Sequence, residues 1–379
     1  MRLLVTVTLN PNQLRAHLEP ITDLPEVESV TLVADEPQSP MPKLRTVVPP
    51  AWLTRACGRA AAKLLTCIAV SLRERPRWVI AYNVVPHAIN ALVVGRLTRR
   101  RVYVHAIGGP VEWEGGGYAS DNKVLSRLPG PVPVLERLLL AVLGACDVVA
   151  VMGTRARAAL IAEGLDPERV VALPASVDET RFAAGGEHRR WDVITAVQLI
   201  SRKRVGEFLQ MVARVSEERP GIRAAVAGRG PMMEELKVEA RRLGIEDSVD
   251  FLGFVSDIES VYANARVFVL ASQREGLSIA MTEAMAGGVP VVVSDIGEAR
   301  DVVVHGENGF VYELGDVDAM TDHVKALLSD DERWDRMSEA AVAAVRRSSD
   351  RATISAINRE ILTTGRRRPA VTGESAVGS

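Results

Sequence analysis

Residues 267–297 read VFVLASQREGLSIAMTEAMAGGVPVVVSDIG, and this stretch decides the fold of the second half of the chain. Its two short apolar runs, residues 267–270 and 289–293, are typical of strands buried on both faces. Between them, Ser278 can cap a short helix over residues 279–286, which a glycine pair ends. A strand, a helix and a second strand predict a βαβ unit, and therefore a parallel sheet.

Two carboxylates flank the start of this helix. Glu275 lies in the loop after the first strand, and Glu283 lies on the helix. Ligands of parallel sheets bind at the carboxyl ends of strands. There the amides of Gly276, Leu277 and Ser278, with the helix dipole behind them, favour an anion. An anion site between two acceptors of hydroxyl hydrogen bonds suits a nucleotide sugar, although a solvated surface glutamate is the alternative for either residue alone.

The pattern E-G-L-S-x-x-x-x-E-A-M-A-x-G-x-P-V-V in this stretch resembles the signature of retaining glycosyltransferases of the GT-B fold, family four (group 1 type). The resemblance implies an α/β chain of two Rossmann-like, doubly wound domains that face a central cleft. It implies that Glu275, a candidate catalytic residue, contacts the donor sugar and that Glu283 contacts the ribose, with the amides of residues 276–278 on the phosphates. It also implies no metal ion and no cofactor other than the nucleotide sugar itself, as a UDP- or GDP-linked co-substrate.

Other positions of the second half resemble the donor site of that family. Lys203 matches a basic residue that grips the donor diphosphate, and we treat it as catalytic because a cation stabilises the departing charge. Gln198 stands where the family usually has an arginine, and Arg202 is a candidate to supply the missing charge. The remaining donor-site candidates lie in turns that follow two further strands: Gly228, Gly230, Phe254 and Val255. A tight strand-to-helix turn explains the two glycines equally well.

The first half has the same strand and helix rhythm up to residue 110, which is typical of a doubly wound α/β domain. Residues 107–134 interrupt it with a long loop rich in glycine and proline. His105 ends a predicted strand, where the family commonly places a histidine near the donor sugar, so it is a candidate catalytic residue. Gly108 and Gly109 follow as acceptor-side candidates. A packed or surface histidine is the alternative for His105.

A length of 379 residues favours two domains. We predict an acceptor domain over residues 1–184, a linker over 185–190, a donor domain over 191–347, a helix over 348–364 that crosses back to the first domain as in the family, and a disordered tail over 365–379.

Composition bounds the location of the protein. The three cysteines show no C-x-x-C spacing and favour a reducing compartment. The N-terminus reads as a first strand and not as a signal peptide, and we expect a cytoplasmic protein. Residues 1–190 carry a net charge of +5 and the remainder −7. This basic first half, with the helix around Trp52, Arg55, Arg59 and Lys63, is the basis for a hypothesis of peripheral contact with the inner face of the membrane; core packing is the alternative.

Together with these observations, the resemblance implies a metal-independent, retaining hexosyltransferase that uses a nucleotide diphosphate sugar and a glycan, lipid or small-molecule hydroxyl acceptor. Nucleic acid is not an expected partner. The alternative is a non-catalytic GT-B protein that binds a nucleotide sugar or acts as an assembly partner. Gln198 keeps that alternative open, as does Asn10-Pro11 where many family members have a Gly-Gly loop. Asp316 and Asp318 resemble a D-x-D metal site, but a helix cap is the favoured interpretation.

Overall fold

The structure, a computed structural model, describes residues 1–114, 116, 125, 128, 130–182 and 189–366. The chain divides into two compact units. Unit 1 comprises Met1–Pro174 together with the chain from Ile354 onward, and unit 2 comprises Ala175–Thr353.

Unit 1 is built on a parallel sheet. In the described part of the chain its strands are β1 (Arg2–Thr6), β2 (Ser29–Val33), β3 (Leu44–Val47), β4 (Trp78–Tyr82), β5 (Arg101–Ala106), β6 (Val148–Val151) and β7 (Val170–Ala172). Their order is β3-β2-β1-β4-β5-β6-β7, so the direction of strand addition reverses between β1 and β4. Leu3 and Val5 enter one buried cluster and Leu4 enters the other, because side chains alternate between the two covered faces of a strand.

Helices cover both faces of this sheet. They are α1 (Pro11–Thr22), α2 (Ala51–Glu74), α3 (Ile89–Thr98), α4 (Pro133–Gly144) and α5 (Thr154–Ala162). The last helix of the described chain, α12 (Arg351–Thr364), contributes to unit 1 from Ile354 onward. Ile361 and Leu362 are buried there, and the indole nitrogen of Trp78 donates a hydrogen bond of 2.9 Å to the carbonyl of Leu362.

Unit 2 repeats the architecture with strands β8 (Trp191–Ala196), β9 (Ala224–Ala227), β10 (Val249–Gly253), β11 (Ala265–Leu270), β12 (Val291–Ser294) and β13 (Gly309–Tyr312). Its helices are α6 (Val205–Glu218), α7 (Met233–Arg242), α8 (Ile258–Ala263), α9 (Ile279–Ala286), α10 (Val317–Ser329) and α11 (Asp331–Ser348). The described strands run in the order β10-β9-β8-β11-β12-β13 and reverse direction of addition between β8 and β11. Strands β11 and β12 pair in parallel on either side of α9, which confirms the βαβ unit predicted for residues 267–297.

The boundary between the units differs from the predicted linker at residues 185–190. The division falls after Pro174. The amide of Val177 donates to the carbonyl of Ser349 at 2.8 Å, and Arg189 donates to a carbonyl of β11 at 2.8 Å. Val177, before the predicted linker, and Arg189, within it, therefore both make contacts inside unit 2. Contacts of this kind leave no periodic pattern in the sequence, so the segment resembles a linker.

Some predictions fall outside the described residues. These are the end of the predicted acceptor domain (183 and 184), most of the predicted linker (185–188), most of the predicted tail (367–379) and part of the loop at 107–134 (115, 117–124, 126, 127 and 129). Among the helices that the structure does describe, none has both the length and the apolar character needed to cross a bilayer.

Candidate functional site

The candidate site of unit 2 lies where the strand order reverses, between β8 and β11. In open parallel sheets, the loops at the carboxyl ends of such a strand pair diverge and leave a crevice for ligands. The loop after β8 contains Gln198, Arg202 and Lys203, and the loop after β11 leads to α9. The two loops are joined directly, because the amide of Gln273 donates to the carbonyl of Arg202 at 2.7 Å.

Lys203 and Glu275 form an ion pair in this crevice. The Lys203 ammonium donates a hydrogen bond to Oε1 of Glu275, and the same oxygen accepts a hydrogen bond of 2.8 Å from the hydroxyl of Ser272. Their side chains are only 12% and 14% exposed. Because a largely buried charge is poorly hydrated, each partner holds the other in place. The pair therefore presents a fixed cation and a fixed carboxylate side by side.

Gly297, in the loop after β12, allows the backbone of that loop to lie close to the loop after β11, which carries Glu275. A Cβ atom at Gly297 would lie 2.3 Å from the carbonyl oxygen of Glu275 and 2.6 Å from that of Gly276. Its φ of +50° is also in the left-handed region that favours glycine. The loop after β11 ends at Ser278, which caps α9, because its hydroxyl accepts a hydrogen bond of 3.4 Å from the amide of Met281. The loop is therefore clamped just before the positive end of a helix.

Glu283, on α9, is largely buried. Burial raises the pKa of its carboxyl group from the ordinary 4.5 to about 7, while the hydrogen bond from Tyr262 and the positive charge of Arg181 act in the opposite direction. The Tyr262 hydroxyl donates to Oε2 of Glu283 at 3.3 Å. Arg181 pairs with Glu259, whose own charge adds to the rise. Such a carboxyl group changes protonation state near neutral pH.

The glycines of the turn after β9 have a structural explanation. A Cβ at Gly228 would lie 1.8 Å from the carbonyl oxygen of Val197, and one at Gly230 would lie 2.1 Å from that of Leu199. The loop after β8 therefore rests directly against this turn. Gln198 is exposed on the same loop. Close backbone packing is sufficient to require both glycines.

Phe254 and Val255 follow β10, the strand at the edge of the sheet. The Phe254 side chain is 60% exposed, and the Arg229 guanidinium lies over its ring at 5.6 Å from the centroid. The amide of Gly228 donates to the carbonyl of Gly253 at 2.7 Å. Strands β10, β9, β8 and β11 are neighbours and parallel, so the loops that carry the donor-site candidates of unit 2 all leave the sheet at the carboxyl ends of its strands.

His105 has a different setting, inside unit 1. Its side chain is 1% exposed, and its ring centroid lies 5.0 Å from that of His17 and 5.6 Å from that of Tyr82. Burial and the neighbouring His17 hold its pKa well below the ordinary value, although a hydrogen bond with the backbone of Leu173 raises it. In the described part of the chain Nε2 has no hydrogen-bond partner. His105 is therefore a neutral core residue in this structure, and its contact with a sugar stays a prediction.

Gly108 and Gly109, the acceptor-side candidates, lie beside a buried glutamate. The amide of Gly108 donates to Oε1 of Glu112, which also accepts a hydrogen bond of 3.1 Å from the side chain of Asn83. Oε2 of Glu112 accepts from the amide of Val84 at 2.6 Å. Glu112 thereby ties the loop after β5 to the turn after β4. That Gly108 and Gly109 contact an acceptor stays a prediction.

The D-x-D pattern is a helix cap. Oδ1 of Asp316 accepts a hydrogen bond of 2.9 Å from the amide of Ala319 at the start of α10. Asp318 pairs with Arg214. The cap interpretation is thus confirmed. Within the described ranges, no three or more His, Cys, Asp or Glu side chains group so as to hold a metal ion.

Sequence reasoning did not identify Ser272, Tyr262 or Gly297. Tyr262 lies 21 positions from its partner Glu283, and neither it nor Ser272 belongs to the motif that led to the site. Gly297 did carry a signal, because it lies in the short loop that follows the buried strand β12, and a glycine in a tight loop can mark a close backbone approach.

Comparison with known proteins gives a consistent result. Residues 176–343 match the family model described as "Glycosyl transferases group 1". An uncharacterized glycosyltransferase of Haemophilus influenzae is 30% identical over 148 residues, which cover 39% of this chain and 42% of that protein. A Mycobacterium tuberculosis protein named GDP-mannose-dependent alpha-(1-6)-phosphatidylinositol monomannoside mannosyltransferase is 29% identical over 229 residues, covering 55% and 60%. The chain spans about half the length of these curated relatives.

The structural similarity to known proteins covers more of this chain than the sequence similarity does. The Anabaena protein Alr3699/HepE, solved in complex with UDP-glucose, superposes with a TM-score of 0.77 at 17% identity, over 96% of this chain and 99% of that one. Two parallel-sheet, Rossmann-like domains of mixed α/β class, as in GT-B glycosyltransferases, are thereby confirmed as the fold. The family match, centred on unit 2, coincides with the unit that contains Lys203, Glu275 and Glu283.

Proposed function

We propose that this chain is a retaining glycosyltransferase that moves a hexose from a nucleotide diphosphate to a hydroxyl acceptor. One observation carries the proposal. Lys203 and Glu275 are paired at the switch point of unit 2, next to the start of α9. A cation and a helix N-terminus suit a diphosphate, and an adjacent carboxylate suits the hydroxyl groups of a sugar.

Each residue has a chemical task in this proposal. The ammonium of Lys203 stabilises the charge that builds on the departing nucleoside diphosphate. Glu275 accepts hydrogen bonds from the donor sugar, and Glu283 accepts them from the ribose. The backbone of Phe254 and Val255 contacts the base. The acceptor hydroxyl attacks on the face from which the diphosphate leaves, so the anomeric configuration is retained without a metal ion.

The relatives support a nucleotide-sugar donor. The M. tuberculosis relative is named for its dependence on GDP-mannose, and the Anabaena protein was solved with UDP-glucose. UDP- and GDP-hexoses are therefore the first donors to test. A glycan, a lipid or a small molecule remains the proposed acceptor class.

A second candidate is a non-catalytic protein that binds a nucleotide sugar or acts as an assembly partner. Gln198, exposed on the loop after β8, favours it, because a neutral amide cannot replace the charge of an arginine toward a diphosphate. Turnover distinguishes the two candidates, whereas binding alone does not.

We also propose a cytoplasmic protein that touches an anionic membrane surface through the start of α2. Trp52 is 69% exposed there, and Arg55 and Arg59 are exposed beside it. Lys63, expected on the same face, is buried and does not contribute. Flotation with vesicles containing phosphatidylglycerol tests this: binding should weaken in Trp52→Ala, and a chain that never floats would contradict it.

The donor site is tested by thermal unfolding with UDP, GDP and their hexose conjugates. A ligand at a hundred times its Kd should add about 2.7 kcal/mol to the free energy of unfolding. We expect one base to shift the wild-type midpoint and Glu283→Ala to reduce that shift. If no nucleotide shifts the wild type, the donor site is absent.

A further inference from the structure

A second constellation lies in unit 1, at the corresponding switch point between β1 and β4. Thr8 follows β1, Asp35 follows β2 and His87 follows β4, while Lys63 reaches them from α2. Crevices at such points bind ligands because the loops on either side diverge. None of these four residues has a task in the proposed donor chemistry.

Lys63 is a buried cation with a complete set of partners. Its side chain is 3% exposed, and its ammonium donates to Oδ2 of Asp35 at 2.7 Å, to the Thr8 hydroxyl at 2.9 Å and to the carbonyl of Val7 at 3.2 Å. An ammonium has three protons, so its capacity is used entirely within the protein. Lys63 therefore orients Asp35 and has no donor left for a ligand.

His87 adds no charge to this crevice. Its ring nitrogens lie 2.9 Å from the hydroxyl of Thr6 and 3.1 Å from that of Thr8. Burial, and then the charge of Lys63, lower its pKa to about 3. The charges among these residues are those of Lys63 and Asp35, and they cancel. A neutral crevice of this kind favours an uncharged ligand.

Asp35 is the group that reaches solvent. Its side chain is 30% exposed, and Oδ2 accepts from both Lys63 and Thr8. Oδ1 accepts no hydrogen bond from any residue that the structure describes. In Rossmann-like domains an acidic residue after the second strand accepts a hydrogen bond from the 2′-hydroxyl of a ribose, and a carboxylate has oxygens enough to accept from two neighbouring hydroxyls. Asp35 occupies that position of the sheet.

The start of α1 does not form the phosphate-binding part of such a site. The side chain of Asn10 accepts a hydrogen bond of 2.9 Å from the amide of Gln13 and so occupies the N-terminus of α1 itself. Pro11, at the first position of the helix, has no amide proton to offer. No glycine loop precedes it in the sequence. Among these described residues, the crevice keeps the acceptor of hydroxyl hydrogen bonds, whereas at the N-terminus of α1 neither Pro11 nor the capped amide of Gln13 is a free donor for a phosphate.

We propose that the crevice of unit 1 binds a vicinal diol of an uncharged polyol, with Asp35 as the residue that accepts its hydroxyl protons. Its role as the acceptor site rests on the proposed function, whereas the binding itself does not. The acceptor class is thereby narrowed to molecules presented through neutral sugar or polyol hydroxyls, and the phosphate of a phosphorylated acceptor is not recognised here.

Saturation-transfer NMR on the full chain, without nucleotide, tests the binding. The probes are glucose, mannose, myo-inositol and glycerol, with glucose 6-phosphate as a charged counterpart. We expect at least one neutral polyol to bind the wild type, and Asp35→Asn to weaken it about tenfold or more, as the loss of a hydrogen bond to a charged group does. Glu36→Gln removes the exposed neighbouring carboxylate and should leave the affinity unchanged.

Asp35→Asn leaves Lys63 without a counter-ion, so a double variant, Asp35→Asn with Lys63→Met, keeps the test independent of folding. Loss of polyol binding in a double variant that melts cooperatively supports the proposal. Polyol binding that survives in Asp35→Asn or the double variant, no binding to the wild type, or tighter binding of glucose 6-phosphate than of glucose would overturn it. Nucleotide-induced melting shifts on the same samples report on unit 2, so either proposal can fail without the other.

Discussion

Lys203 donates a hydrogen bond from Nζ to Oε1 of Glu275, a residue 72 positions further along the chain. The pair joins the loops after β8 and β11 at the point where the strand order of unit 2 reverses. Because both groups are largely buried, the pair is a preorganised part of the crevice. A diphosphate can share the ammonium, since within the part of the chain that the structure describes Nζ of Lys203 makes this one side-chain hydrogen bond and an ammonium has three protons.

The first prediction concerns that ammonium. Lys203→Met should weaken binding of UDP or GDP by about ten- to a hundredfold, because a charge-assisted hydrogen bond to phosphate contributes about 1.5–3 kcal/mol. Isothermal titration measures this directly. Lys237→Met, which removes a partly exposed lysine paired with Glu234 on α7, is the matched control and should bind nucleotide as the wild type does. Equal affinity in both variants would remove Lys203 from the donor site.

A second prediction concerns the loop that carries Glu275. Gly297→Ala should lower the free energy of unfolding by about 2–4 kcal/mol and displace Glu275, because its Cβ would overlap the carbonyl oxygens of residues 275 and 276. Gly306→Ala is the control, since Gly306 also has a positive φ but has open space around its Cβ position. Urea unfolding compares them. Similar losses in both variants would mean that backbone conformation alone, and not close packing, decides the effect.

In unit 2, the features that depend on residues close together in the sequence were predictable, and those that depend on distant residues were not. The Ser278 and Asp316 caps each involve an amide three residues away, and both follow from the sequence. The motif around Glu275 identified the loop, but the clamp at Gly297 and the Tyr262 hydroxyl arise only when distant segments pack together. No period or motif encodes those contacts.

The third prediction concerns Glu283. Its folded pKa of about 7 lies above the ordinary 4.5, so between these values the native state binds more protons than the unfolded state. The free energy of unfolding therefore decreases as pH rises from about 4.5 to about 7. Glu283→Gln, which cannot titrate, should gain up to about 3 kcal/mol relative to wild type between pH 5 and pH 8. Glu313→Gln, at an exposed glutamate, should show no such trend, and a flat difference for Glu283→Gln would contradict the account of its burial.

The fourth prediction has the opposite sign and concerns His17 in unit 1. Burial lowers its pKa from 6.5 to about 4, so the unfolded state binds more protons over that range. Stability is retained above pH 6.5 and is lost as pH falls toward 4. His17→Phe should reduce this acid sensitivity by about 3 kcal/mol between pH 6.5 and pH 4. Nε2 of His17 has no hydrogen-bond partner among the described residues, so the substitution removes none there. Urea unfolding at both pH values measures it, and an unchanged pH dependence would show that His17 is not the group responsible.

Unit 1 was less readable from the sequence. β3, Leu44–Val47, is a short and partly exposed strand at the sheet edge, and it lacks the apolar run that marks the central strands. α2 has non-helical backbone at Gly58, with φ of 81°, so Arg55 lies on one side of a kink and Lys63 on the other. One uninterrupted helix would place Arg55 and Lys63 on the same basic face, as the sequence predicted, whereas the structure buries Lys63. His105 lies beside His17, which no pattern connects to it.

The most direct test of the central claim is turnover of UDP-glucose and GDP-mannose by the wild-type chain, followed by ¹H NMR of the released or transferred sugar. We predict release of the nucleoside diphosphate with the sugar initially in the α configuration of the donor, and loss of this turnover in Lys203→Met. Binding of a nucleotide sugar without any turnover would contradict the enzymatic claim and favour the non-catalytic candidate, and a β-configured first product would contradict retention.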